Sequence, residues 1–100
     1  MEVIFTRRAR GHLKRLKAYI SKQSYPSRAN AYIGRILDHC EGLSTFPLRG
    51  TQRDDIMEGL RLIGFERSAT IAFVVTEDQV IIEGVFYRGR SVEKQLKGKR

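Results

Sequence analysis

Residues 70–87 read TIAFVVTEDQVIIEGVFY, and they decide the fold. Thr70 to Thr76 and Val80 to Tyr87 are rich in β-branched and aromatic residues, and the polar triplet Glu77-Asp78-Gln79 between them has the length of a tight hairpin. Just upstream, Gly59-Leu60-Arg61-Leu62 alternates, so a further strand joins the pair in a three-stranded meander.

Towards the N-terminus the period becomes helical. Ala29, Ile33, Ile36, Cys40 and Leu43 form one apolar stripe, flanked by Tyr32 and Leu37; Ala9, Leu13, Leu16 and Ile20 form another. Pro26 suits the first position of the later helix, where its missing N–H costs nothing, and Gly42 suits a left-handed cap at its end. Thr6 reads as the N-cap of the earlier helix, which should run to about Lys22, and the short link between the two makes an antiparallel hairpin. Residues 2–6, EVIFT, form a short strand. Phe46-Pro47-Leu48-Arg49-Gly50 and the polar run Thr51 to Asp55 read as loop. After Tyr87, Ser91 caps a short helix from Val92 to about Lys97, with Glu93 in its first turn. The expected architecture is a single α+β domain over residues 1–100. An N-terminal strand and an antiparallel helix hairpin pack on a mostly antiparallel four-stranded sheet, followed by a short C-terminal helix. The other face of the sheet is expected to need cover from a partner.

Composition narrows the class. One hundred residues with 41% hydrophobic content can bury roughly two-thirds of the unfolded surface, so the chain can fold alone. Neither a membrane span nor a signal peptide is expected, which places the chain in the cytoplasm. Cys40 is the one cysteine, so it forms no internal disulfide and no Cys-based metal cage. No metal or cofactor is expected. The formal charge of +8 favours acidic partners. It is concentrated at the two ends, in Arg7, Arg8, Arg10, Lys14, Arg15 and Lys17 and in Arg88, Arg90, Lys94, Lys97, Lys99 and Arg100.

Several short motifs then line up in one order over nearly the whole chain. Ala9 and Leu13 open the first helix; Ala29, Tyr32 and Ile36 follow in the second; Leu43-x-x-Phe46-Pro47-x-x-Gly50 makes a turn. Gly59-Leu60-Arg61 starts a strand, and Val85-Phe86-Tyr87-Arg88-Gly89-Arg90 closes the last one. In this order they resemble the ParE/RelE superfamily, the toxin halves of type II toxin–antitoxin pairs. The resemblance implies a small toxin neutralised by a cognate acidic antitoxin whose C-terminal segment wraps the helix hairpin and sheet. Antitoxin anchors would be Leu16, Tyr19, Ile20, Tyr32, Phe73 and Val75.

The superfamily contains gyrase poisons and ribosome-dependent mRNA endoribonucleases. The ribonucleases need cations for the phosphate and an acid and a base for the cleavage. In many of them these come from lysines on the second strand and an arginine on the third. Here no lysine occurs between Lys22 and Lys94, and Thr70-Ile71-Ala72-Phe73 carries no arginine. The resemblance therefore favours the ParE branch, with DNA gyrase as target, no catalytic residue, and a target-binding surface of Arg61, Tyr87, Arg88, Arg90, Lys94 and Lys97. The ribonuclease alternative, with ribosome and mRNA as partners, would use Glu58, Arg61, Tyr87 and Arg90. His12 and His39 lie on predicted helices, where a lone histidine is more often a packing residue than a catalyst. Plainer readings stand beside these: Arg61 pairing with Glu83 across the sheet, Tyr87 closing the core edge, and the basic tail acting only as a solubilising coat. A non-toxic basic nucleic-acid-binding module is a further alternative. The aliphatic strands around Phe73 and Phe86 resemble core more than an RNA-binding sheet.

Overall fold

The structure is a computed structural model and describes residues 1–98; Lys99 and Arg100, counted above in the basic tail, lie outside the described residues. The order of elements is β1 (Glu2–Phe5), α1 (Arg7–Gln23), α2 (Pro26–Gly42), β2 (Thr51–Gln52), β3 (Leu60–Phe65), β4 (Ala69–Val75), β5 (Gln79–Tyr87) and α3 (Val92–Leu96). The local signals act as expected at most ends. The Thr6 hydroxyl accepts the Ala9 N–H at 3.1 Å, Pro26 opens α2, and the Ser91 hydroxyl accepts the Lys94 N–H at 3.2 Å. Gly42 is the last helical residue of α2 and does not turn left-handed; Leu43 caps that helix in ordinary helical geometry.

The sheet has the order β1-β5-β4-β3-β2, with β1 parallel to β5 and every other pair antiparallel. A fifth strand thus joins the expected four. Thr51 and Gln52, read as loop because both are polar, pair with Leu62 and Arg61. Gly50 makes this approach possible. It sits at φ +80°, and a Cβ there would collide with the Leu62 carbonyl.

Both faces of the sheet are covered by the chain itself. On one face α1 and α2 lay Ala9, Leu16, Tyr32, Ile36, Cys40 and Leu43 over Phe65, Ile71, Phe73, Val80, Ile82 and Val85. On the other, Ile56 and Met57 from the loop before β3, with Leu96 of α3, close over Leu60, Ala72 and Phe86. The expected open face is therefore a second small core, closed by residues too few to show a period. Arg53 ties its two covers together, pairing with Asp55 at 2.8 Å and Glu93 at 3.2 Å.

A bulge in β5 shapes the rest. Ala72 is opposite Gly84 and Phe73 opposite Ile82, which leaves Glu83 as an extra residue. Phe73, wholly buried, anchors the main core at this point. Phe73→Ala should destabilise the chain by about 3–5 kcal/mol, while Leu48→Ala, at a side chain 72% exposed, should change stability by less than about 0.5 kcal/mol; urea unfolding of the two variants checks both.

Candidate functional site: an arginine-lined cleft beside the last strand

β1 stops pairing at Phe5, opposite Ile82, so the outer edge of β5 beyond that point needs other partners. α1 supplies them. The Thr6 hydroxyl and an Arg8 guanidinium N–H both donate to the Glu83 carbonyl, at 3.4 and 3.3 Å, and Arg8 also meets the Glu83 carboxylate. The Val85 N–H donates to His12 Nδ1 at 3.1 Å. Since Nδ1 accepts, the neutral imidazole carries its proton on Nε2, which donates to Gln95 Oε1 of α3 at 2.9 Å. Burial lowers the His12 pKa, the Gln95 bond opposes this, and the nearby Arg15, Arg8 and Arg90 lower it further.

Between α1 and the end of β5 lies a cleft of about 240 Å³, lined by His12, Arg15, Leu16 and Tyr19 of α1, by Val85 and Tyr87 of β5, and by Arg88, Arg90 and Gln95 beyond it. Three of the residues expected from the sequence, Tyr87, Arg88 and Arg90, meet here. Aromatic edges brace the wall: Tyr87 packs edge-on against Tyr19 and Tyr32, Tyr32 against Phe65, and the Arg88 guanidinium lies 5.1 Å over the Tyr87 ring. The Tyr32 hydroxyl reaches Ser68 Oγ at 2.6 Å.

The other expected residues fall elsewhere. Lys94 and Lys97 are exposed on and after α3, outside the cleft. Arg61 is opposite Phe73, four β4 residues from Ala69, the partner of Tyr87. That separates Arg61 from Tyr87 by on the order of 13 Å along the strands and 10 Å across them. It reaches the Arg49 carbonyl at 3.4 Å, and Glu83 pairs with Arg8 instead. Glu58 lies on the turn before β3, at the end of that strand away from Phe65, the residue whose level Tyr87 shares. The four residues of the ribonuclease alternative are thus split between the two ends of the sheet. Among the antitoxin anchors, Phe73 is wholly buried and Leu16 and Tyr32 nearly so, because the helix hairpin closes over them; Tyr19 is 47% exposed, and Ile20 and Val75 are half-buried. Cys40 is buried and its thiol is pushed up to about 12 by that burial, which makes it a core residue and not a nucleophile.

Sequence reasoning missed the place of Arg15, which counted only as one charge of a run, and of Arg67, at the tip between β3 and β4. It also passed over the exposure of Phe46 and Leu48, 66% and 72%. No signal of period marked the first two; their positions depend on tertiary register.

The fold and the basic cleft define a class of small α+β protein in which a helix hairpin backs a twisted sheet. A solved structure described as a chromosomal ParDE TA system from P. aeruginosa shares it, with a TM-score of 0.76 and 20% identity over 88% of this chain and 96% of that one. The family described as the ParE toxin of type II toxin-antitoxin system, parDE, matches residues 3–92, and the chain belongs to that family. No curated protein matches it. No helix among the described residues is long and apolar enough to cross a membrane.

The imidazoles set a pH response. His12 and His39 both have pKa values lowered from 6.5, chiefly by burial. Below about pH 6.5 the unfolded chain takes up protons that the folded chain refuses, so stability should fall as pH drops until the lowered folded-state values are passed. The ion-paired Asp55 and Glu66, whose pKa values are also lowered, lose their contribution only in the carboxylate range further down. Urea midpoints between about pH 8 and pH 5 should fall below 6.5, and His12→Gln should flatten part of that slope.

Proposed function

We propose that this ParE-family chain is a toxin that inhibits DNA gyrase by binding it, and that a cognate acidic antitoxin encoded beside it holds it inactive in the cytoplasm. Family membership over residues 3–92 is the observation that carries this reading. The site chemistry supports a binding role. Both imidazole nitrogens of His12, the titratable group in the cleft wall nearest neutrality, are already engaged, and Glu58 and Arg61 stand apart from Tyr87 and Arg90. A cleft of guanidinium groups and tyrosine faces is suited to hold a surface, not to move a proton.

The target-binding surface on this reading is Tyr87, Arg88 and Arg90 with Arg15, and Lys94 and Lys97 add long-range charge from α3 without lining the cleft. Antitoxin anchoring then falls to the apolar side chains that reach the surface, Tyr19, Ile20 and Val75. Val75 and Tyr87 lie at opposite ends of the β4–β5 pair, so the antitoxin must be an extended segment that folds on binding and not a compact knob.

In a gyrase supercoiling reaction, the antitoxin-free chain should block supercoiling or trap gyrase on DNA, and a ribosome-translated mRNA in a parallel reaction should stay intact. Arg88→Gln with Arg90→Gln should weaken inhibition roughly tenfold or more, the scale of losing two charged contacts. Cut mRNA with unaffected gyrase overturns the proposal.

A further inference from the structure

Two turns at the Tyr87 end of the sheet hold their central residues in the left-handed region. In the first, Glu66 and Arg67 sit at φ 48° and 56°, closed by the Ser68 N–H donating to the Phe65 carbonyl at 2.9 Å. In the second, Arg88 and Gly89 sit at φ 49° and 75°, closed by the Arg90 N–H donating to the Tyr87 carbonyl at 3.3 Å. This is the tight-turn geometry that Asn and Gly adopt cheaply and that other residues adopt under strain. Here three of its four places hold Glu or Arg. The turns are also tied to each other, since the Arg88 N–H donates to the Ser68 carbonyl at 2.8 Å. Arg35 clamps Glu66 with two bonds, of 2.8 and 3.1 Å.

Strain maintained by surrounding contacts points to a use for the side chains it displays. Arg88 borders both the cleft, with Arg15 and Arg90, and a second depression lined by Arg67, Ser68 and Thr70. Among the described residues, no carboxylate forms an ion pair with Arg15, Arg67, Arg88 or Arg90. Arg88, shared by the two depressions, links Arg15 and Arg90 in the cleft, where Tyr19 and Tyr87 form part of the wall, to Arg67 in the second, and the four form a basic track around the sheet end.

We infer that the Arg15–Arg90–Arg88–Arg67 track is a binding site for a single DNA strand, its phosphates on the guanidinium groups and a base against the exposed Tyr19 ring. The inference rests on the gyrase reading and deepens it: the toxin touches the opened DNA of the gyrase complex as well as the enzyme. Charge along a groove with aromatic faces is the chemistry of strand binding without sequence preference. The Ser68 hydroxyl beside the second depression is taken up by Tyr32 and the Phe65 carbonyl, and an RNA strand is the competing ligand that the test compares.

The test is fluorescence anisotropy of labelled oligothymidylate with the antitoxin-free chain, without gyrase, across a salt series, beside an oligouridylate of equal length. DNA should bind at least as tightly as RNA, with a salt slope of roughly −2 to −3 for three or four phosphate contacts. Arg88→Gln with Arg90→Gln should lower affinity roughly tenfold and flatten the slope by about 1.4. Arg67→Gly relieves a strained φ, so it should unfold at equal or higher urea concentration yet bind DNA less tightly, an effect a merely structural role would not give. Lys17→Gln with Lys22→Gln removes the same charge off the track and should leave binding near its original strength. Equal loss in that control, clear preference for RNA, or no binding by a chain that still inhibits gyrase would each overturn the inference while leaving the gyrase reading intact. If the chain binds DNA in this way but gyrase supercoiling is untouched, the gyrase reading fails in its own reaction while the strand site on the track stands.

Discussion

The arrangement depends on how the outer edge of β5 changes hands. β1 covers that edge only as far as Ile82, and the bulge at Glu83 turns the strand just where its partner ends. A buried strand edge with unpaired N–H and C=O groups costs on the order of 1–3 kcal/mol for each group left unmade. α1 takes over through Thr6, Arg8 and His12, and each bond has a further effect. Thr6 caps the helix with the same hydroxyl that faces Glu83. Arg8 neutralises the bulged glutamate. His12 must stay neutral to accept the Val85 N–H, and its other nitrogen then fixes Gln95 and so α3, whose Leu96 seals the second core. Gly84 belongs to the same device, since a Cβ there would lie 2.6 Å from the Phe86 ring and 3.1 Å from His12.

The sequence conveys much of this through local chemistry. Both helices, their N-terminal caps, the meander and the short last helix follow from period, caps and turn residues, because each is specified within a few positions of itself. β2 does not. Two polar residues on an edge carry no alternation, and their pairing comes from Gly50 fitting under the Leu62 carbonyl. The covered second face is equally silent, because Ile56, Met57 and Leu96 are separated in sequence and become one cluster only when Arg53 joins the β2–β3 loop to α3.

The candidate site is legible to the extent that it is contiguous. Tyr87, Arg88 and Arg90 follow one another at the end of a strand and stay together. The family resemblance adds Arg61 to them, but the sheet register places it at the level of Phe73, two strands away from Tyr87. Arg15 is one of six basic residues in the first twenty, and only the crossing of α1 over β5 selects it for the cleft. Phe73 looked like an anchor for a partner as much as a core residue, and the closing of the helix hairpin over it decided for the core. Turns built from Glu66-Arg67 and Arg88-Gly89 lack the Asn-Gly pattern at three of four places, so their left-handed geometry, and the meeting of Arg67 with Arg88, had no local mark.

Charge placement shows where the chain tolerates repulsion. Ion pairs described in the structure go to joints: Arg8 with Glu83 at the bulge, Arg35 with Glu66 at the first strained turn, and Arg53 with Asp55 and Glu93 between the covers of the second core. With nineteen basic against eleven acidic residues, carboxylates were available for the cleft as well. They hold its walls instead. Glu83 and Glu66 stabilise the backbone that carries the arginines without neutralising those that line the cleft, and the crowding of guanidinium groups is felt in the lowered His12 pKa. Like charges gathered at one end of a small sheet are unfavourable for the isolated chain and relieved by an anionic surface. On the proposed function, that same excess gives an acidic antitoxin and a DNA-bound target competing claims on one corner of the molecule, so occupation by the first suffices to exclude the second.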